Sequence, residues 1–139
     1  MKRFLSTNYS AGAFNTGMLL FRIVIGALML NHGYDKMVHF DKSLDGFDHM
    51  LGNFLGMSPK ICLILCIFAE FFCSVLLIIG LFTRLATIPL IITMCVIIFK
   101  VNKADIFGNA EIAVLYLAGY VLLLFTGPGK ASVDGMISK

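Results

Sequence analysis

Two ionisable residues stand where ionisable residues are costly. Arg22 lies in the apolar run 18–30, and Glu70 lies in the apolar run 61–82. A charge at the bilayer centre costs about 2.5–3.5 kcal/mol on insertion scales. Each side chain must therefore face protein and find a partner. Arg22 is eleven residues before Gly33, and Glu70 is eleven residues after Pro59. If Gly33 and Pro59 mark helix ends, both charges lie roughly 16 Å from one side of the membrane. That depth predicts an Arg22–Glu70 ion pair. The pair has two readings: a structural contact that fixes helix packing, or the lining of a polar site for a ligand or a proton.

A second, shallower set gathers at the same side. His32 and Lys36 are four residues apart and share a helical face if the first helix continues that far. Glu111 opens the last apolar run on this side, with Asn31, Asp35 and Lys100 near the same level. A histidine beside a carboxylate at the edge of a dry bundle can shuttle protons or hold a polar head group. The bland alternative is a ring of interfacial residues reaching water, as lysines near helix ends do. No second histidine stands at ligand spacing, so no metal site is expected.

The four cysteines, Cys62, Cys66, Cys73 and Cys95, all sit in apolar runs, and no pair has Cys-x-x-Cys spacing. They read as small packing residues. Cys62, Cys66, Glu70 and Cys73 nevertheless follow one stripe, at steps of four, four and three. Gly26 and Gly33 flank the Arg22 face of the first helix, a small-residue seam that lets membrane helices approach closely.

The elements that position these residues follow from the pattern of apolar runs. Helices are expected at about 15–33, 59–82, 84–99 and 108–125, the last starting as early as residue 104 if it is to span. Asn15 or Thr16 would cap the first, and Ser58-Pro59 is a cap followed by proline at the first helical position. Pro89 falls in the second turn of the third helix, and Gly127-Pro128-Gly129 stops the fourth. The short 81–85 link makes helices two and three antiparallel neighbours. The long connection, 34–57, carries Met37, Phe40, Leu44, Phe47, Leu51 and Phe54 at three- and four-residue steps, with charges between. It reads as an amphipathic helix lying over the mouth of the bundle, interrupted at Gly46.

Composition agrees. Of 139 residues, 59% are hydrophobic and only 14% charged, against about 25% charged in soluble domains. The mean hydropathy is +0.92. The expectation is a single all-α domain: a transmembrane four-helix bundle with an amphipathic segment between helices one and two. The basic Met1-Lys2-Arg3 start and a long first run containing an arginine read as a retained helix, not a cleaved signal. The net charge of +3 is scattered, which gives nucleic-acid binding no support. Basic residues tie at five per side: Lys2, Arg3, Arg84, Lys130 and Lys139 against Lys36, Lys42, Lys60, Lys100 and Lys103. Dominance of the first helix then puts the N- and C-termini in the cytoplasm.

Several stretches together resemble the DoxX family of small bacterial four-helix membrane proteins. They are Arg22-Ile-Val-Ile-Gly26 leading to His32-Gly33-Tyr-Asp-Lys36, then Ala69-Glu70, then Gly80-Leu-Phe-Thr-Arg84-Leu-Ala86. Glu111-Ile-Ala-Val-Leu-Tyr116 and Gly127-Pro-Gly-Lys-Ala-Ser132-Val-Asp134 complete them. The resemblance covers nearly the whole chain and implies a multi-pass protein of the bacterial cytoplasmic (inner) membrane. Its namesakes are linked to membrane oxidoreductases, including quinone-linked sulfur oxidation and thiol or oxidative-stress systems. Family members often carry a histidine near the end of helix three. This chain has Phe99-Lys100-Val-Asn-Lys103 there, so no role resting on that histidine is carried over.

No flavin, haem or iron–sulfur motif is visible. The redox group would then be a quinone, or would sit on a soluble or membrane oxidoreductase partner. The expectation is a non-catalytic membrane subunit, surrounded by membrane lipid, binding a quinone or similar amphiphile. Its expected ligand-binding residues are Arg22 and Glu70 inside and His32, Lys36 and Glu111 at the mouth. The alternatives are a membrane scaffold or assembly factor whose ion pair is purely structural, and a small-solute transporter working as a homo-oligomer.

Overall fold

A computed structural model describes residues 8–138. The basic start at Met1-Lys2-Arg3 and Lys139 lie outside the described residues. Among those described, the chain is all α-helical, with six helices. These are α1 (Ala11–Val38), α2 (Phe40–Leu51), α3 (Pro59–Ile79), α4 (Thr83–Val101), α5 (Glu111–Thr126) and α6 (Val133–Ile137). Three of them, α1, α3 and α4, are long and apolar enough to cross a membrane, and α5 is a shorter apolar helix.

Helix α1 is longer than its apolar core at both ends. Ser10 caps it, its Oγ accepting from the Ala13 N–H at 3.1 Å, so the helix begins at Ala11, four residues ahead of the expected start. It passes Gly33 without a break and ends at Val38. At 28 residues it is roughly 42 Å long, against a hydrocarbon core of about 30 Å. The next helix begins after a single residue, His39, whose Nδ1 lies 3.1 Å from Asp35 Oδ1.

The amphipathic connection expected over 34–57 is a separate helix only over Phe40–Leu51; residues 34–38 continue α1, and 52–57 is not helical. Phe40, Leu44, Phe47 and Leu51 of α2 are half-buried, while Asp41, Lys42, Asp45, Asp48 and His49 are exposed. Gly46 does not interrupt it, because the apolar stripe on either side holds one continuous face against α3.

Two helices carry wide π-helical turns: α3 at Phe68–Cys73 and α4 at Ile97–Val101. Between them, Gly80 takes a left-handed conformation (φ 74°, ψ 38°) that ends α3 and reverses the chain within three residues. Helix α5 does not start early. Lys103 and Ala104 both have positive φ, at 49° and 60°, which breaks any helix through that point. The resulting 16 residues are roughly 24 Å long. The core lies between α1, α3, α4 and α5, around Met29, Cys73, Leu77, Leu90, Met94, Tyr120 and Leu123.

Candidate functional site

The register between α1 and α3 decides which charges meet. Gly33 packs on the wide turn of α3: a Cβ there would lie 2.6 Å from Phe71 N and 2.7 Å from Glu70 C. Gly26 lies against Ser74 and Ile78 in the same way. Glu70 therefore stands level with Gly33, and the next inward-facing basic residue on α1 is Lys36. Its Nζ lies 2.6 Å from Glu70 Oε2. The Glu70 side chain is 2% exposed and that of Lys36 23%. The other carboxylate oxygen, Oε1, accepts from the Cys66 thiol at 3.3 Å.

The predicted Arg22–Glu70 pair does not form. Both residues are buried, Arg22 at 1% and Glu70 at 2% exposure, so their burial is as the hydropathy required. The pair is kept apart because α1 continues past Gly33 to Val38, which places Arg22 toward the opposite end of the bundle. There its guanidinium donates to three backbone carbonyls: Ile78 O at 3.3 Å, Pro128 O at 2.6 Å and Ala131 O at 2.9 Å. Carbonyls left over at the end of α3 and in the C-terminal turn satisfy the arginine, and it satisfies them.

The same end holds a second clamp. The Asp134 carboxylate accepts from the Phe82 N–H at 2.8 Å and the Thr83 N–H at 2.9 Å, capping α4 from across the chain. The Asp134 N–H returns a bond to Gly80 O at 2.9 Å. Burial works to raise the Asp134 pKa. The hydrogen bonds from Thr83 and Phe82 and the nearby charge of Arg22 outweigh it and hold the carboxyl below its ordinary value. Arg22, Gly80–Arg84 and the tail through Asp134 are thus one architectural unit.

Of the other predicted site residues, His32 is exposed, its ring edge-on to Tyr116 at 6.4 Å. Tyr116 stacks on Tyr120 at 6.0 Å, and Tyr120 is fully buried with a hydroxyl that has no hydrogen-bond partner among the described residues. Glu111 is the first residue of α5 and exposed. Among the described residues, no hydrogen bond or ion pair joins it to His32 or Lys36. Asp35 binds His39, and the Lys100 ammonium lies 5.6 Å from the centre of the Phe54 ring. The mouth cluster is therefore split, with only Lys36 reaching Glu70.

Sequence reasoning missed the cavity beside this pair. A cleft of about 420 Å³ lies between α2, α3 and α4 and the 52–57 segment. Phe47, Leu51 and Phe54 roof it, Pro89, Val96 and Ile97 form one wall, and Cys62, Cys66 and Ala69 form the other. Cys66 belongs to both the cleft and the Glu70 site. The i, i+4 spacing of Cys62, Cys66 and Glu70 was the available signal. All four cysteines are free thiols.

A bundle of long apolar helices, with its buried charges received by backbone carbonyls or a counter-charge, defines a multi-pass membrane protein. The chain belongs to the DoxX family, whose model matches residues 17–103. An uncharacterized protein of Haemophilus influenzae is 28% identical over 125 residues, covering 85% of this chain and 88% of that one. An uncharacterized membrane protein of Mycobacterium tuberculosis is 26% identical over 140 residues, covering 88% of this chain and 82% of that one. No solved structure matches the chain.

Proposed function

We propose that this protein is a membrane subunit of a redox or oxidative-stress system that binds a quinone or similar amphiphile in the cleft under α2. The observation that carries the reading is the position of Cys66. Cys66 lines an apolar cleft of about 420 Å³, and its thiol hydrogen-bonds a buried carboxylate. Small-molecule sites are typically apolar clefts of about 300–1,000 Å³ with a few convergent polar groups. The cleft walls take an apolar ring or tail, and Cys66, backed by Glu70 and Lys36 behind the wall, takes the polar end. In this reading Arg22 leaves the ligand site and belongs to the fold, and α5 completes a four-helix bundle in the inner membrane with both termini cytoplasmic.

Purification in mild detergent followed by lipid mass spectrometry tests this. A copurifying quinone or comparable amphiphile is expected, lost in Val96→Trp, which fills the cleft from its wall. Absence of any bound amphiphile, together with no stabilisation by added quinone, sinks the reading.

A further inference from the structure

Lys36, Glu70 and Cys66 form an unbroken hydrogen-bonded line. It begins at a side chain that reaches the surface and ends at the wall of an apolar cleft. The two links are 2.6 Å and 3.3 Å long. Lys36 is 23% exposed and stands two residues before the end of α1, near the His39 link to α2. Glu70 is 2% exposed and has no route of its own to water. Cys66 lines the cleft.

Packing alone does not require this order of groups. A structural ion pair needs only Lys36 and Glu70. A packing cysteine needs no acceptor, and Cys73, two stripe positions further along α3, is also buried and makes no hydrogen bond among the described residues. The wide turn at Phe68–Cys73 holds Glu70, and such turns are frequent at functional sites. The other titratable groups within electrostatic reach of Glu70 or Cys66 are Cys62 on α3 and Tyr116 and Tyr120 on α5. None of these is hydrogen-bonded to Glu70, so the line has one entry and one exit.

We propose that Lys36, Glu70 and Cys66 are a proton relay between the surface near the α1–α2 link and the cleft. The inference rests on the reading of the cleft as a ligand site, and it narrows the ligand to amphiphiles with an ionisable oxygen. The proton balance is closed. The Cys66 S–H proton passes to a ligand oxygen anion, forming O–H and breaking S–H. The thiolate takes the proton of neutral Glu70, which regains its charge. Glu70 had received that proton from the Lys36 ammonium, and Lys36 is reprotonated from water at the surface. The reverse sequence delivers a ligand proton to the outside. No electron moves in these steps.

Infrared spectroscopy of the thiol S–H bands during transfer of the purified protein into D₂O tests the relay without any ligand. Cys66→Ser and Cys73→Ser assign the bands. In the natural sequence Cys66 is expected to exchange faster than Cys73, because Cys73 exchanges only when the bundle opens. Glu70→Gln keeps an acceptor for the thiol but cannot pass a proton, and it should slow Cys66 exchange by about 100-fold. Cys73 exchange should not change. Lys36→Gln should do the same from the other end, and Lys36→Met is the second variant if that one does not fold. Equal exchange of Cys66 and Cys73 in the natural sequence overturns the relay, as does unchanged Cys66 exchange in folded Glu70→Gln. A missing amphiphile with intact, Glu70-dependent exchange would overturn the ligand reading and leave the proton path standing.

Discussion

Lys36 Nζ lies 2.6 Å from Glu70 Oε2, an ion pair with one partner sealed in the bundle and the other reaching water. The asymmetry makes the two halves unequal. Removing Lys36 leaves a carboxylate that is 2% exposed with only a thiol beside it. Removing the Glu70 charge leaves a lysine able to turn outward.

Lys36→Met is therefore expected to destabilise by about 3 kcal/mol, the scale of a buried pair broken from one side. Glu70→Gln should cost about 1 kcal/mol, as for a pair whose surviving member is solvated. The double variant should recover most of the Lys36→Met loss, because removing both partners together leaves no stranded charge. Reversible unfolding in mixed micelles gives the full cycle. Equal single-variant losses would contradict the asymmetry.

Arg22 should tolerate no cationic replacement. Its three carbonyl acceptors belong to two chain segments, and a lysine cannot span them with a single ammonium. Arg22→Lys is expected to destabilise by about 2 kcal/mol, since buried carbonyls left unmet cost roughly 1 kcal/mol or more each. The tail from residue 127 onward should become sensitive to protease, and ligand retained by the surviving folded protein should be unchanged. Loss of ligand from folded Arg22→Lys would return this residue to the binding site.

Acid stability should depend on Asp134. Its folded pKa lies below the ordinary value, so its carboxylate stabilises the fold at neutral pH and above. That contribution begins to fade as the pH falls past about 3.9, the ordinary aspartate value, and is gone below the depressed folded value. Asp134→Asn should lower stability by about 1 kcal/mol at neutral pH, as for the loss of a charged cap. It should also flatten the acid limb of a melting-temperature profile. An acid limb identical in the variant would remove Asp134 from the account.

The two seam glycines should differ. A Cβ at Gly33 meets the backbone of Glu70 and Phe71, which cannot yield, whereas a Cβ at Gly26 first meets the Ile78 side chain at 2.7 Å. Gly33→Ala should cost about 3 kcal/mol, at the upper end of overpacking losses, and Gly26→Ala about 1 kcal/mol. Because Gly33 sets the register, Gly33→Ala should also slow Cys66 thiol exchange, while Gly26→Ala leaves it alone.

Hydropathy alone determined that the chain is helical and membrane-bound, that Arg22 and Glu70 are buried, and that an amphipathic segment lies between the first two spans, though not that it is helical only over 40–51. These properties depend on side-chain polarity repeated along one segment, which sequence displays directly. The partners of the charges were not legible. They depend on how far α1 runs beyond its apolar core and on how deeply Gly33 lets it press on the wide turn of α3. Gly33, not Arg22, stands level with Glu70, and the eleven residues between Arg22 and Gly33 are an offset of roughly 16 Å along α1. Arg22 consequently went to the carbonyls of a tail more than a hundred residues away, and Lys36 took its place beside Glu70. The cleft was equally hidden, because an empty volume between α2, α3 and α4 is a property of three packed surfaces and of no single one.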